Sequence, residues 1–307
     1  MQTRSRPFSV QDDFGRVRRF LTETVADRDS PNWGPDRWDL LRFSRHADEE
    51  ASGIQGWERH VRLWETTEAE LVGAVTPEGR STFFLQIHPI HRHLELEMIR
   101  WIVEHDRSAR RTESEAPLQV CAMDTDRTRA THLTAHGFAP HGPVNRISRR
   151  AVRLRVPPIS LPPGYTLRAV RLEDPEELSR LANTLNATFC RSKWTADNVR
   201  VLTKAPMYRS EMDLLIVGPE GDIAAFTTVW VDSHHRTAIF EPVGTHPAHR
   251  RRGLARALLA TALQRLQDLG IDTAETSSVP TNTPALGLYR QIGFEHAGDE
   301  VAWRHAG

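Results

Sequence analysis

At 307 residues, with 39% hydrophobic and 26% charged side chains, the chain is too long for one small α/β domain and suits two hydrophobic cores. Its 40 basic and 40 acidic residues cancel to a formal net charge of zero, which excludes a global field that would gather nucleic acid or an anionic membrane surface. Two cysteines in different halves, Cys121 and Cys190, show no metal or disulfide spacing, and no signal core or apolar run of transmembrane length is present; a cytoplasmic protein with both thiols buried and no metal is expected.

In chain order, a polar helix is predicted over Val10–Thr24. Five tryptophans (Trp33, Trp38, Trp57, Trp64, Trp101) crowd the first half and are expected mainly in cores, with Trp33–Trp38 a possible cleft loop. An antiparallel strand region follows, with a turn at Pro77-Glu78-Gly79, and then the segment His88-Pro89-Ile90-His91-Arg92 opens a helix that carries Glu95 and Glu97. Residues 157–164 hold four prolines and a terminal glycine; a stretch so poor in backbone donors reads as an extended linker. The expected domains are therefore 1–155 and 165–307, joined by 156–164.

The second half opens with a helix over Leu172–Asn186 and a strand region that turns at Pro219-Glu220-Gly221-Asp222. Ile239 to Thr245 reads as a strand, and Pro242 within it must break the ladder beside Val243, because proline has no N–H to donate. The turn His246-Pro247-Ala248-His249-Arg250-Arg251-Arg252-Gly253 then feeds a helix whose Ala255, Leu258, Leu259, Ala262, Leu263 and Leu266 recur at helical spacing until Gly270. Small residues at Gly253 and Ala255 leave backbone N–H groups uncovered at a helix start, where the dipole is positive and arginines surround it. Strand, basic turn and helix in that order make a phosphate cradle.

The halves repeat. His88-Pro89-Ile90-His91-Arg92 returns as His246-Pro247-Ala248-His249-Arg250, 246 − 88 = 158 residues on, and Gly137-Phe138 returns as Gly293-Phe294, 293 − 137 = 156 residues on. At these offsets Gly253 and Ala255 correspond to Glu95 and Glu97, Tyr289 to Leu133 and Asn282 to Asp126. A carboxylate about 6 Å from a phosphate charge repels it by about 2–3 kcal/mol at an effective dielectric near 20, so the first copy is not expected to hold pyrophosphate. The default reading of the two glutamates themselves is as solvated helix charges.

Arg250-x-x-Gly253-x-Ala255, with Asn282-x-x-Ala285-x-x-Leu288-Tyr289-x-x-x-Gly293-Phe294 about 30 residues later, resembles the paired motifs of the GCN5-related N-acetyltransferases, the GNAT superfamily. The resemblance implies an α/β (α+β) fold of two tandem GNAT domains, each a mixed, mostly antiparallel sheet flanked by helices, with a degenerate first copy. It implies acetyl-CoA as co-substrate, the backbone of Val243, Gly244 and Thr245 bonding the pantetheine arm, and the turn Arg250, Arg251, Arg252, Gly253, Leu254, Ala255 and Arg256 holding the pyrophosphate. Tyr289 would protonate the departing thiolate, and Asn282 would bond the cofactor or hold the strand end. An alkylamine acceptor is protonated at neutral pH and costs about 4–5 kcal/mol to deprotonate, which calls for a base. Glu241 is the first choice, on the expectation that it shares strand parity with Val243 and Thr245; Asp232 and His246 are weaker alternatives.

The expected activity is transfer of an acetyl group to a primary amine of a small molecule by direct attack, in a monomer or homodimer without nucleic acid or membrane. Two other readings stay open at this point: a tRNA-dependent aminoacyl transferase and a non-enzymatic CoA-binding protein.

Overall fold

A computed structural model describes residues 2–25, 33–43, 56–79, 81–109, 117–156 and 158–306, which leaves the linker's Pro157 outside the described residues. Contacts divide the chain into two units, Met1–Trp38 with Glu49–Asn145 and Gly298–Gly307, and Asp39–Asp48 with Arg146–Ala297.

The first unit comprises β1 (Thr3–Pro7), α1 (Val10–Val25), the start of α2 (Pro35–Phe43), β2 (Arg62–Thr66), β3 (Leu71–Pro77), β4 (Thr82–Ile87), α3 (Glu95–Ala109), β5 (Gln119–Met123), α4 (Arg127–Ala135) and the first part of β6 (Phe138–Ala151). Neighbouring strands run antiparallel except β4 and β5, which are parallel. Met98, Ile99 and Ile102 of α3 pack with Trp64, Phe83, Leu85 and Val120 of the sheet. Trp33, Trp38, Trp57 and Trp64 are all buried, as their apolar area demands. Rather than a cleft loop, Pro35–Phe43 is helix, with the Trp38 indole donating to the Phe14 carbonyl at 3.0 Å.

The second unit comprises β7 (Thr166–Ala169), α5 (Pro175–Phe189), α6 (Ala196–Leu202), β8 (Asp213–Val217), β9 (Ile223–Asp232), β10 (Thr237–Thr245), α7 (Leu254–Asp268), β11 (Thr273–Ser278), α8 (Thr283–Gln291) and the start of β12 (Glu295–His305). Antiparallel pairing runs β7-β8-β9-β10; β10 and β11 are parallel, and β11 is antiparallel to residues 146–151 of β6. Helix α7 buries five leucines (Leu254, Leu258, Leu259, Leu263, Leu266) on one face of this sheet, worth up to about 10 kcal/mol at roughly 2 kcal/mol each. On the other face, Leu178, Leu181 and Val199 of α5 and α6 pack on Leu215 and Phe226. Local signals agree with these elements: Asp174 caps α5 ahead of Pro175, Thr195 and Asn198 form a capping box on α6, and Gly270 (φ 70°) ends α7.

The strands do not stay with their own copy. Residues 146–151 leave the first unit to pair with β11, from Arg146 opposite Ser278 to Ala151 opposite Thr273. In return, β12 completes the first unit's sheet along β5, from Glu300 opposite Met123 to Arg304 opposite Gln119. A boundary in the proline-rich segment follows from local chain stiffness, whereas this exchange follows from which open sheet edge each strand can satisfy. Among the described residues of 156–164 there is neither helix nor strand.

Of the two thiols, Cys121 is buried and its pKa is pushed up by burial, but Cys190 is exposed, correcting the expectation for both. It sits at the C-cap of α5 in the left-handed region (φ 51°), where the helix end turns its side chain out of the core. No described helix is long and apolar enough to cross a membrane.

Candidate active site

The second unit opens between β10 and β11. The two strands pair only from Thr237 opposite Thr273 to Phe240 opposite Thr276, so beyond Phe240 the β11 side of β10 has no ladder. Pro242 sits where pairing fails, and on the β9 side the register shifts between Phe240 and Val243. That shift corrects the reading of Glu241. Phe240 pairs with Val229 and Val243 with Thr227, two residues apart on β9, so Phe240 and Val243 share a face and alternation does not carry from Glu241 to Val243. The extra residue is accommodated at the proline, which cannot donate to the ladder.

Val243, Gly244 and Thr245 pair with Thr227, Phe226 and Ala225 on one side and lie beyond the end of the β11 ladder on the other. Gly244 is required there: a Cβ would come 2.2 Å from the Phe226 ring. The chain then enters a short 3-10 turn, Pro247–His249, capped by His246, whose Nδ1 accepts from the Ala248 N–H at 3.4 Å.

Gly253 caps α7 in the left-handed region (φ 78°), with nothing within 4 Å of the place its Cβ would occupy. The first intrahelical bond is from Ala257 N–H to the Gly253 carbonyl at 3.1 Å, so the N–H groups of Leu254, Ala255 and Arg256 have no partner within the helix. Leu254 anchors the turn in the core, while Arg250, Arg251, Arg252 and Arg256 are exposed around it. The turn is braced from behind by residues the sequence did not single out. Asp222 bonds His249 Nε2, His249 Nδ1 bonds the Tyr165 hydroxyl at 2.9 Å, and Arg252 donates to the same hydroxyl at 2.9 Å. Arg250 reaches the Thr245 and Thr188 carbonyls at 3.4 Å. Uncovered N–H groups, a helix dipole and four guanidinium groups concentrate positive potential at this turn, an arrangement suited chemically to a multiply charged anion.

Tyr289 is buried in the α7 side of the core with Phe240 and Phe294. Burial pushes its phenol above the ordinary range; the Thr276 hydroxyl opposes that rise and the charge of Glu241 adds to it. The phenol is therefore a proton donor throughout neutral pH, and it lies at the point where β10 and β11 part, since Thr276 also donates to the Phe240 carbonyl at 3.2 Å. The Glu241 side chain is exposed, and its carbonyl accepts from the Trp230 indole at 2.6 Å. Asp232 is less suited to act as a base: burial raises its pKa, but bonds from His235, at 2.8 Å from the ring, outweigh burial and hold the carboxyl below its ordinary range. Asn282 caps α8 by accepting from the Ala285 N–H at 3.3 Å, so it holds the end of the β11 connection.

The first unit repeats this framework but fills it. His88 caps its turn as His246 does, accepting from Ile90 N–H at 3.4 Å, and Asp126 caps α4 as Asn282 caps α8, accepting from Arg129 N–H at 3.0 Å. Where Gly253 is open, Glu95 is fully buried and paired with Arg92 at 2.8 Å, His132 at 3.1 Å and Arg129. Asp126 takes Arg92 through both oxygens, at 2.8 and 3.1 Å. Glu95 is thus an interior ion-pair centre, not a solvated helix charge, because a carboxylate deep at a helix start must find cations. Glu97 is exposed and accepts from the Trp64 indole at 2.8 Å. The start of α3 thus carries a buried, ion-paired carboxylate where the start of α7 carries an open glycine.

A mixed sheet with a parallel pair that parts in mid-strand above an open, basic helix start defines the acyl-CoA N-acyltransferase class of fold. Residues 180–294 match the model of the Acetyltransferase (GNAT) family. The tandem GNAT protein from the clavulanic acid biosynthesis pathway superposes with a TM-score of 0.68 at 19% identity, covering 98% of each chain. A GCN5-related N-acetyltransferase from Sphaerobacter thermophilus gives 0.65 at 21% identity, covering 98% of this chain and 95% of that one. Among curated proteins, the mycothiol acetyltransferase of Arthrobacter sp. is 31% identical over 176 residues (55% of this chain, 54% of that protein), and that of Kytococcus sedentarius 26% over 175 residues (55% and 59%). In these matches the chain spans about half the length of the curated relatives.

Proposed function

We propose that the second unit transfers an acetyl group from acetyl-CoA to a primary amine of a small molecule, by direct attack in a ternary complex. The observation that carries this reading is the coincidence in one place of a parted strand pair, an uncovered αL helix start and a buried, protonated tyrosine. Backbone groups of Val243, Gly244 and Thr245 would take the pantetheine arm, and the turn from Arg250 through Arg256 the diphosphate. Asn282 supports the site by capping α8.

The amine nitrogen would attack the thioester carbonyl carbon, the C–S bond would break, and the acetyl group would leave as an amide. Glu241, the exposed carboxylate nearest the parting of the strands in sequence, would take the amine proton through water. Tyr289, which its raised pKa keeps protonated at neutral pH, would give its proton to the departing sulfur. A small-molecule amine accords with the relatives, which are named mycothiol acetyltransferases. The first unit, with Glu95 in its cradle, would bind no CoA.

Calorimetry with acetyl-CoA tests the proposal. One site is expected, weakened about a hundredfold by Gly253→Glu, since a carboxylate about 6 Å from a phosphate charge costs about 2–3 kcal/mol. Gly253→Asn, which tolerates the left-handed backbone without adding charge, is expected to bind within a few-fold of the wild type. Two sites in the wild type, or equal binding by Gly253→Glu, would reject the assignment; binding without thiol release across a panel of amines would leave a CoA-binding protein.

A further inference from the structure

Two side chains three residues apart in the turn before α7 converge on one oxygen. His249 meets the Tyr165 hydroxyl through Nδ1 at 2.9 Å, and Arg252 donates to the same hydroxyl through Nη1 at 2.9 Å. Between them the backbone passes through the left-handed region at Arg251 (φ 65°), a conformation that a residue with a side chain keeps only where its surroundings hold it. Tyr165 therefore clasps both ends of the strained stretch. The tyrosine is itself fixed, with its ring buried in the core on the α7 side of the sheet. It follows Gly164 (φ 82°), where a Cβ would come 3.1 Å from Pro219.

The donors and acceptors follow one order. Arginine only donates, so the Tyr165 oxygen accepts from Arg252. The hydroxyl's own hydrogen then goes to His249 Nδ1, and the opposite ring nitrogen, Nε2, donates to Asp222. The chain of bonds ends on a carboxylate in the turn between β8 and β9. Gly218 is required beneath it, because a Cβ there would come 2.6 Å from the Asp222 carboxylate and 3.3 Å from the His249 ring.

Of the four exposed arginines at the turn, Arg252 is the one held firmly in advance. Arg250 reaches carbonyls only at 3.4 Å, and Arg251 and Arg256 enter no hydrogen bond or ion pair among the described residues. Arg252 spends one nitrogen on Tyr165 and keeps its Nε and Nη2 donors unused. A guanidinium already in place loses less conformational freedom when an anion arrives, and two neighbouring donors suit the oxygens of a phosphate. We propose that Tyr165 is a positioning residue for acetyl-CoA: anchored on Asp222 through His249, it clasps the turn and presents Arg252 to the diphosphate. This rests on the reading of the turn as the diphosphate site.

The test is a double-mutant cycle on acetyl-CoA affinity, measured by calorimetry on the full-length protein with Tyr165→Phe, Arg252→Ala and the two combined. Each single change is expected to weaken binding about tenfold, the low end for a hydrogen bond to a charged group. The combination is expected to bind within about threefold of Arg252→Ala alone, because Tyr165 acts through the arginine; a tyrosine that only supports the fold would give losses that multiply. Unfolding midpoints are measured alongside. If Tyr165→Phe does not fold, Asp222→Ala, at a half-exposed turn position, takes its place in the cycle, with a loss of about threefold that likewise disappears beside Arg252→Ala. No acetyl-CoA binding by the wild type would remove the diphosphate reading and this proposal with it. Where the wild type binds, affinity unchanged in Arg252→Ala or in the folded partner variant, or losses that multiply in the combination, would overturn the positioning role alone.

Discussion

Replacing Glu95 by glutamine isolates the charge of the first unit's filled cradle, because the side-chain volume is kept. The Glu95 carboxylate has no exposed surface, and Arg129, one of its three partners, is itself 5% exposed. Removing one member of a buried pair costs about 3–5 kcal/mol, since the other is left charged and uncompensated. Two features place the expectation at the low end: Arg92 is partly exposed, and Asp126 remains 3.7 Å from Arg129. A loss of about 3 kcal/mol is expected, a large part of a domain's usual 5–15 kcal/mol, and it corresponds to a fall of about 6–12 °C in the unfolding midpoint of a unit of this size. Urea unfolding followed by tryptophan emission reads this unit well, since six of the eight tryptophans, Trp33, Trp38, Trp57, Trp64, Trp101 and Trp303, belong to it. Glu97→Gln serves as the control: it is exposed and glutamine still accepts from the Trp64 indole, so less than about 0.5 kcal/mol is expected. If Glu95→Gln cost less than about 1 kcal/mol, as an exposed ion pair does, the interior network would be refuted.

Tyr289→Phe should lower the rate of acetyl transfer by about a hundredfold, the range of a lost general acid, with little change in acetyl-CoA affinity; unchanged turnover from pH 6 to 9 would remove the acid role. Asp213 offers a stability test in the second unit. Burial pushes its carboxyl up to about 6, against bonds from Tyr208 at 2.8 Å and Thr228 at 2.9 Å. A raised folded-state pKa stabilises fully below the unfolded value near 4 and loses that contribution as pH rises through 6, so wild type should lose about 3 kcal/mol relative to Asp213→Asn between pH 4 and 8; parallel pH profiles for the two proteins would contradict this. Gly244→Ala should destabilise the second unit by about 1–3 kcal/mol through overpacking against Phe226, read as a lower unfolding midpoint, and a neutral result would mean that β10 can move off β9 there.

Much of the candidate site lies in one continuous stretch and was readable for that reason. Strand β10, the turn and α7 follow each other from Thr237 to Asp268, and α7's apolar period, Gly253 and the missing donor of Pro242 are all local facts. The braces were not readable: Tyr165, Asp222 and Thr276 lie far along the chain from the groups they hold, and no spacing marks them. Glu241 shows the limit inside a single strand. Its parity with Val243 is a correct inference for an unbroken ladder, and only the register against β9 reveals the extra residue.

By itself the sequence determined the internal repeat, the elements from Thr237 to Asp268, the open glycine at Gly253 and its carboxylate counterpart at Glu95, because each depends on residue identity, short-range backbone chemistry or a fixed offset. Tertiary structure alone decided that Glu95 is an interior ion-pair centre and not a solvated charge, that Cys190 is exposed, and that β6 and β12 each complete the other unit's sheet. Burial and strand partnership are properties of which distant surfaces meet, and an ionised group or an open sheet edge takes whichever partner the folded chain brings within about 3 Å of it.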